Sequence, residues 1–73
     1  MNSKQFDPYA LAKVVAIIAT NKDSNTATDV YGLADTLHED MPSLSYEDLV
    51  ELIERSIATI GGAAIWERRS KLN

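Results

Sequence analysis

The stretch from Leu44 to Ile60 constrains the fold most, because it specifies one helix from its cap to its buried face. Ser45 suits an N-cap, since its hydroxyl accepts from the free N–H groups of the first turn. Leu44 and Leu49 have the spacing of a hydrophobic staple across that cap. The residues that then recur on one face at helical spacing are Leu49, Leu52, Ile53, Ser56, Ile57 and Ile60. We therefore predict a helix over residues 46–60 that other segments must cover.

The N-terminal part of the chain predicts a helix over about residues 8–20. Asp7 suits an N-cap, and Pro8 suits the first helical position, where its missing N–H costs nothing. The interior from Tyr9 to Ala19 is apolar except for Lys13. A helix that is apolar nearly all round is enclosed by its own domain or by a partner. We expect this helix to lie deepest in the fold and to keep surplus apolar surface for a partner.

The middle of the chain predicts an amphipathic helix over about residues 27–40. Residues 20–28 are polar and are typical of a loop. Thr26 is the favoured N-cap of the helix that follows, with Ser24 as the alternative, and Pro42 ends the helix at or before the preceding residue. The apolar stripe of this helix consists of Val30, Leu33, Ala34, Leu37 and Met41.

The C-terminal part is predicted as a short helix over about residues 63–71. Gly61 and Gly62 stop the preceding helix, because glycine readily adopts the left-handed C-cap conformation. An extended segment from Ala63 to Trp66 is the alternative. The fold class is therefore all-α: a compact three-helix bundle with a short C-terminal helical extension, in a single helical domain over residues 1–73. A helix-turn-helix-like outline is compatible with this arrangement.

Size, composition and charge exclude several classes of protein. The chain has 73 residues, 45% of them hydrophobic and 25% charged, which is ordinary for a soluble domain with a thin core. It has no cysteine, so disulfides and thiolate metal sites are excluded. The lack of cysteine favours a protein of a reducing compartment. The N-terminal apolar run is interrupted by Asp7, Pro8 and Lys13, which favours a cytoplasmic helix over a signal peptide or a membrane span.

The sequence gives no positive sign of catalysis or of cofactor binding. His38 is the single histidine, and with Asp35 and Glu39 it forms a one-turn cluster of candidate metal ligands. Such mixed clusters are common on solvated helix faces. No serine has a histidine and a carboxylate at a recognisable spacing, and no glycine-rich phosphate loop is present. We expect no enzyme activity, no cofactor, no metal and no small-molecule ligand.

Charge is segregated along the chain. Seven carboxylates lie between Asp35 and Glu54, whereas a basic cluster lies near the C-terminus. Charge runs usually form solvated faces. The more specific interpretation is that these charged segments form a docking surface for a partner. Trp66 lies beside the basic cluster and has two interpretations that the sequence supports equally. It is either an anchor of an interface or a residue that covers the core. The candidate partner-binding residues are Glu47, Glu51, Glu54, Trp66, Arg68 and Arg69.

The predicted function is a small acidic cytoplasmic module for protein–protein interaction, which self-associates as a homodimer and could act as a regulator. The alternative is a DNA-binding regulator of the helix-turn-helix or winged-helix type. In that alternative the helix over residues 46–60 would face DNA, but its first turns carry Glu47, Asp48 and Glu51. A formal charge of −4 likewise disfavours nucleic acid and anionic membranes. Another protein, or a second copy, is therefore the expected partner.

Overall fold

Three helices and two very short strands follow one another in the computed structural model, which describes residues 6–67. They are α1 (Pro8–Asp23), β1 (Thr28–Asp29), α2 (Val30–Asp40), α3 (Tyr46–Ile60) and β2 (Ala64–Ile65). The predicted all-α class is confirmed. None of the helices in this part of the chain combines the length and the apolar character that crossing a bilayer requires.

The central element is α3, which packs against both α1 and α2. The expectation that the N-terminal helix lies deepest is therefore wrong. The reason is that α3 presents its apolar stripe to two neighbours at once, whereas α1 presents a single line of residues to the core. The buried apolar core consists of Ala10, Val14, Ile18, Val30, Ala34, Leu37, Leu49, Leu52 and Ile53.

Local capping sets the starts of α1 and α3, as predicted. The carboxylate of Asp7 accepts a hydrogen bond of 2.8 Å from the backbone N–H of Tyr9, and Pro8 occupies the first helical position. The hydroxyl of Ser45 accepts a hydrogen bond of 3.1 Å from the backbone N–H of Asp48. Both side chains satisfy donors that a helix start leaves without an intrahelical partner.

The first helix ends at Asp23, so the predicted end near residue 20 is too early. Its last turn is polar, but tertiary hydrogen bonds hold it. The side-chain amide of Asn21 donates to Thr28 Oγ1 at 3.1 Å, and Lys22 Nζ donates to the carbonyl of Ile60 at 3.0 Å. Hydrogen bonds to residues outside the helix therefore hold its last turn beyond the apolar pattern.

The predicted helix over residues 63–71 is wrong for its described part, because Ala64 and Ile65 form β2. Gly61 and Gly62 have φ angles of 101° and 96°, which turn the chain out of α3. β2 then pairs in parallel with β1, with Ala64 opposite Thr28. The extended alternative agrees with this finding. Residues 68–71, which include Arg68 and Arg69, lie outside the described residues.

The same pairing moves the start of α2 from the predicted residue 27 to Val30. Thr28 and Asp29 are held in the strand pair, so Asp29, rather than Thr26 or Ser24, is the N-cap. Its carboxylate accepts from the backbone N–H of Gly32 at 3.1 Å. A Cβ at Gly32 would overlap this carboxylate, so the glycine makes room for the cap.

Candidate interaction surfaces

The three predicted glutamates lie along one stripe on the outside of α3. Glu47, Glu51 and Glu54 are four and three residues apart, which places them on the same face of a helix. This face lies opposite the buried stripe of Leu49, Leu52 and Ile53. Glu47 and Glu54 are exposed, and Glu51 is half-buried. We call this set the acidic ridge.

The structure joins Trp66 to the acidic ridge. Its indole Nε1–H donates a hydrogen bond of 2.9 Å to Glu54 Oε2, and the residue remains 50% exposed. Trp66 therefore lies on the surface rather than in the core. Glu51 forms an ion pair of 3.5 Å with Arg55, and both side chains are substantially solvated, so the pair contributes little to stability. Of the six predicted partner-binding residues, four share this side of the molecule, and Arg68 and Arg69 are outside the described residues.

A second surface, on the outside of α1, was not among the predicted site residues. Between Pro8 and Thr20, every exposed residue is uncharged. We call this set the neutral face: Pro8, Tyr9, Leu11, Ala12, Val15, Ala16 and Thr20. The largest of them are well exposed, with Tyr9 at 59%, Leu11 at 42% and Val15 at 38%.

The one charged residue in that part of α1, Lys13, is turned towards α2. Its Nζ lies 3.3 Å from Asp40 Oδ2, and it lies 5.5 Å from the centre of the Tyr9 ring. The hydrogen bond to Asp40, together with the charge of that carboxylate and a smaller effect of Tyr9, raises the pKa of Lys13 above its ordinary 10.5. The ammonium is thereby paired with a carboxylate of α2 at the edge of the neutral face, beside Tyr9, and the lysine side chain remains 39% exposed.

An apolar groove borders the neutral face where α1 meets α3. Its volume is about 340 Å³. The residues that line it are Phe6, Leu11, Val15, Leu52, Arg55, Ser56, Thr59 and Ile60. Among these described residues, Arg55 carries the single charge, and its guanidinium lies 5.7 Å from the centre of the Phe6 ring. Leu11 and Val15 belong to both surfaces, so the groove and the neutral face are continuous.

The opposite flank of α1 is a polar cleft of about 510 Å³ between α1 and α2. The hydrogen bond from Asn21 to Thr28 lies at one end of the facing helices, and the Lys13–Asp40 ion pair links them near the other. Half-buried Ile17 and Leu33 contribute apolar surface to the cleft, and Asp29 and Asp35 are also on its lining. The cleft is thus more polar than the groove on the α3 side.

His38 has a structural contact that the sequence did not reveal. Its Nδ1 lies 2.9 Å from the carbonyl oxygen of Leu44. Because a carbonyl can only accept, Nδ1 carries the proton in this contact. The imidazole therefore ties the end of α2 to the segment that leads into α3. Within residues 6–67, no three side chains of the metal-ligating types converge.

The chain matches no protein-family model, no curated protein and no solved structure. These comparisons therefore assign neither a family nor an activity. The inference of function rests on the surfaces of α1 and α3 described above, since fold class alone does not imply function.

Proposed function

We propose that the protein is a small cytoplasmic protein-interaction module, without catalytic chemistry, that binds another polypeptide through the neutral face of α1. The observation that carries this proposal is that the exposed residues between Pro8 and Thr20 are all uncharged, in a chain with a formal charge of −4, while Lys13, the one charged residue of this stretch, is ion-paired with Asp40. A helix face of this length that lacks charge is typical of one that a partner covers.

The other two helices show what a solvated face looks like in this protein. The exposed residues of α2 include Asp35, Glu39 and Asp40, and those of α3 include Glu47 and Glu54. Charged side chains at such positions keep a helix surface soluble. The neutral face differs from both, although it belongs to the same domain. Covering it would remove apolar surface from water, which is favourable by about 25 cal/mol per Å².

The apolar groove supports the proposal because it adds concave surface to a convex helix. Side chains of a partner that packs along α1 would reach Leu11 and Val15, and from there the groove wall formed by Leu52 and Ile60. Interfaces are strongest where apolar anchors enter such depressions and exclude water. We infer that the neutral face and the groove act as one binding surface.

The acidic ridge has a different role in this proposal. Exposed carboxylates such as Glu47 and Glu54 repel other acidic surfaces and attract basic ones, which affects association rates more than affinity. Trp66 adds a half-exposed aromatic ring beside them. A basic partner would approach from this side of α3, whereas stable docking would use α1.

DNA binding is the alternative function. The outline of α2, a five-residue connection over 41–45 and α3 favours it, because a helix-turn-helix has this order. The acidic ridge disfavours it, since these carboxylates occupy the outward face that would enter a groove of DNA. Passing the protein over immobilised calf-thymus DNA at low salt discriminates between the two functions. We expect no retention, and salt-sensitive retention would favour DNA binding.

Site-specific photo-crosslinking tests the main proposal and needs no assumption about which protein binds. A benzophenone amino acid would replace Ala16 on the neutral face and, as the matched control, Ala58, which is the exposed alanine on the outside of α3. After irradiation in cells that express the full chain, we expect protein adducts from position 16 in excess of those from position 58. Equal yields from both positions, or none from either, would overturn the proposal.

A further inference from the structure

We propose that the neutral face of α1 is covered by a second copy of this chain, with the two α1 helices antiparallel about a two-fold axis beside Val14. This inference rests on the proposed function, because it names the partner of the same surface. It would produce an isologous homodimer, in which one patch meets an identical patch.

The charge of the chain favours a second copy as the occupant. In an isologous interface both copies contribute the same patch, so a patch that carries charges of one sign repels itself. The chain carries a formal charge of −4, and both α2 and α3 expose several carboxylates. The stretch of α1 from Pro8 to Thr20 exposes none. Two copies can therefore meet along this stretch without placing carboxylates opposite one another, and the two Lys13 side chains that come to one flank beside the axis are each already paired with Asp40 of their own copy.

The order of large and small side chains fits the antiparallel arrangement. With the axis beside Val14, Ala12 of one copy lies opposite Ala16 of the second copy, and Tyr9 lies opposite Ala19. Ala12 and Ala16 are exposed, and Ala19 is half-buried. Small residues at the centre allow helix axes to approach to about 8 Å. The tyrosine ring at each end then meets a small residue rather than another ring.

A parallel arrangement lacks these advantages. It would place Tyr9 against Tyr9, and it would oppose the carboxylates at the two ends of α1, Asp7 to Asp7 and Asp23 to Asp23. Two parallel helix dipoles also repel each other, whereas antiparallel dipoles attract. The geometry of α1 therefore favours the antiparallel orientation for a pair of these helices.

The apolar groove extends the same interface. A two-fold axis perpendicular to the plane of the two α1 helices keeps both grooves on the same side of the pair. Val15 of each copy then lies near the level of Val15 and Leu11 of the second copy beside the grooves. The contact gains apolar area on that flank, beyond what the helix pair provides by itself.

Cysteine pairing tests both the partner and the orientation. The natural chain has no cysteine, so each introduced thiol is unique. The variants Ala12→Cys and Ala16→Cys would be prepared as full chains with tags of different size and oxidised separately and as a mixture. Facing positions fall within the Cα separation that a disulfide accepts, whereas identical positions are offset by about 6 Å along the helix. Ala58→Cys is the matched control.

We expect the mixture to give the mixed Ala12→Cys and Ala16→Cys dimer at least about tenfold faster than Ala58→Cys pairs with itself, because proximity raises the effective concentration of the two thiols. Dominant pairing of each variant with itself would overturn the antiparallel arrangement. Pairing no faster than that of Ala58→Cys would overturn the second copy as the occupant. If adducts to a different protein still formed from position 16 in the photo-crosslinking experiment, the proposed function would stand while this inference failed.

Discussion

Trp66 Nε1 donates a hydrogen bond of 2.9 Å to Glu54 Oε2, and this contact fastens the segment after β2 to the outward face of α3. It is one of the contacts that hold the end of the described chain against the bundle, together with the strand pair and the bond from Lys22 to Ile60. The indole is thereby held beside the acidic ridge in a defined position.

The fluorescence of Trp66 reports on this contact directly, because the chain has a single tryptophan. In Glu54→Ala the indole loses its acceptor and gains water around its ring, so we expect the emission maximum to move to longer wavelength. Glu47→Ala is the control, since it removes a ridge carboxylate that does not accept from the indole. An identical spectrum for Glu54→Ala and the natural chain would contradict the contact in solution.

Ile53 tests the assignment of the core face of α3. The side chain is fully buried, so Ile53→Ala removes apolar contacts and leaves a cavity. We expect the free energy of unfolding to fall by about 2–5 kcal/mol in urea titrations. Ile65→Ala, at a residue that is 43% exposed, is the comparison and is expected to change it by less than about 1 kcal/mol. Similar losses in both variants would show that the buried face is misplaced.

The parts of the fold that could be predicted are those set by local chemistry. Asp7 with Pro8, and Ser45 with the stripe that follows it, specify the starts of α1 and α3 within a few residues of sequence. The pairing of Thr28 with Ala64 could not be predicted in this way, because it joins segments that are distant along the chain. This pairing also explains the late start of α2.

The same distinction applies to the candidate surfaces. The periodicity of Glu47, Glu51 and Glu54 places them on one outward face, and the structure shows that arrangement. The exposure of Leu11 and Val15 could not be deduced from α1 alone, since a helix that is apolar on most sides does not reveal which side its neighbours leave open. The contact of Trp66 with Glu54 likewise depends on the turn at the two glycines.

Gly61 is the residue at which that turn requires glycine most strongly. Its φ of 101° and ψ of −164° lie in a region that only glycine occupies readily. We expect Gly61→Ala to lower the free energy of unfolding by about 1–3 kcal/mol, measured in urea. A synthetic chain with D-alanine at this position is the control, because D-residues favour positive φ and the loss should largely disappear. Equal loss with both stereoisomers would contradict a backbone cause.

Lys13 gives a prediction about pH. The hydrogen bond to Asp40, and the charge of its carboxylate, raise the pKa of Lys13 above 10.5 in the folded state. The folded protein therefore holds this proton more tightly than the unfolded chain. The resulting stabilisation is fully present below pH 10.5 and is lost as the pH rises through the folded pKa. We expect NMR titration to show this raised pKa, and Asp40→Asn to return it towards 10.5, whereas Asp35→Asn leaves it raised.

Ala16→Glu tests in solution whether two copies of the chain meet through the neutral face. The substitution places a carboxylate at the centre of the proposed contact, and the two-fold axis brings the same charge from the second copy. The nearest cation on the helix, Lys13, is already paired with Asp40. Because a carboxylate is costly to remove from water, we expect the dimer Kd to rise at least about tenfold, or roughly 1.4 kcal/mol. Sedimentation equilibrium across the micromolar range measures this change.

Ala58→Glu is the control, because it adds the same charge on the outside of α3 and is expected to leave the dimer Kd unchanged. Because Ala16 is exposed in the isolated chain, both variants should unfold at nearly the temperature of the natural protein; a marked loss of stability in Ala16→Glu alone would place this residue in the monomer core instead.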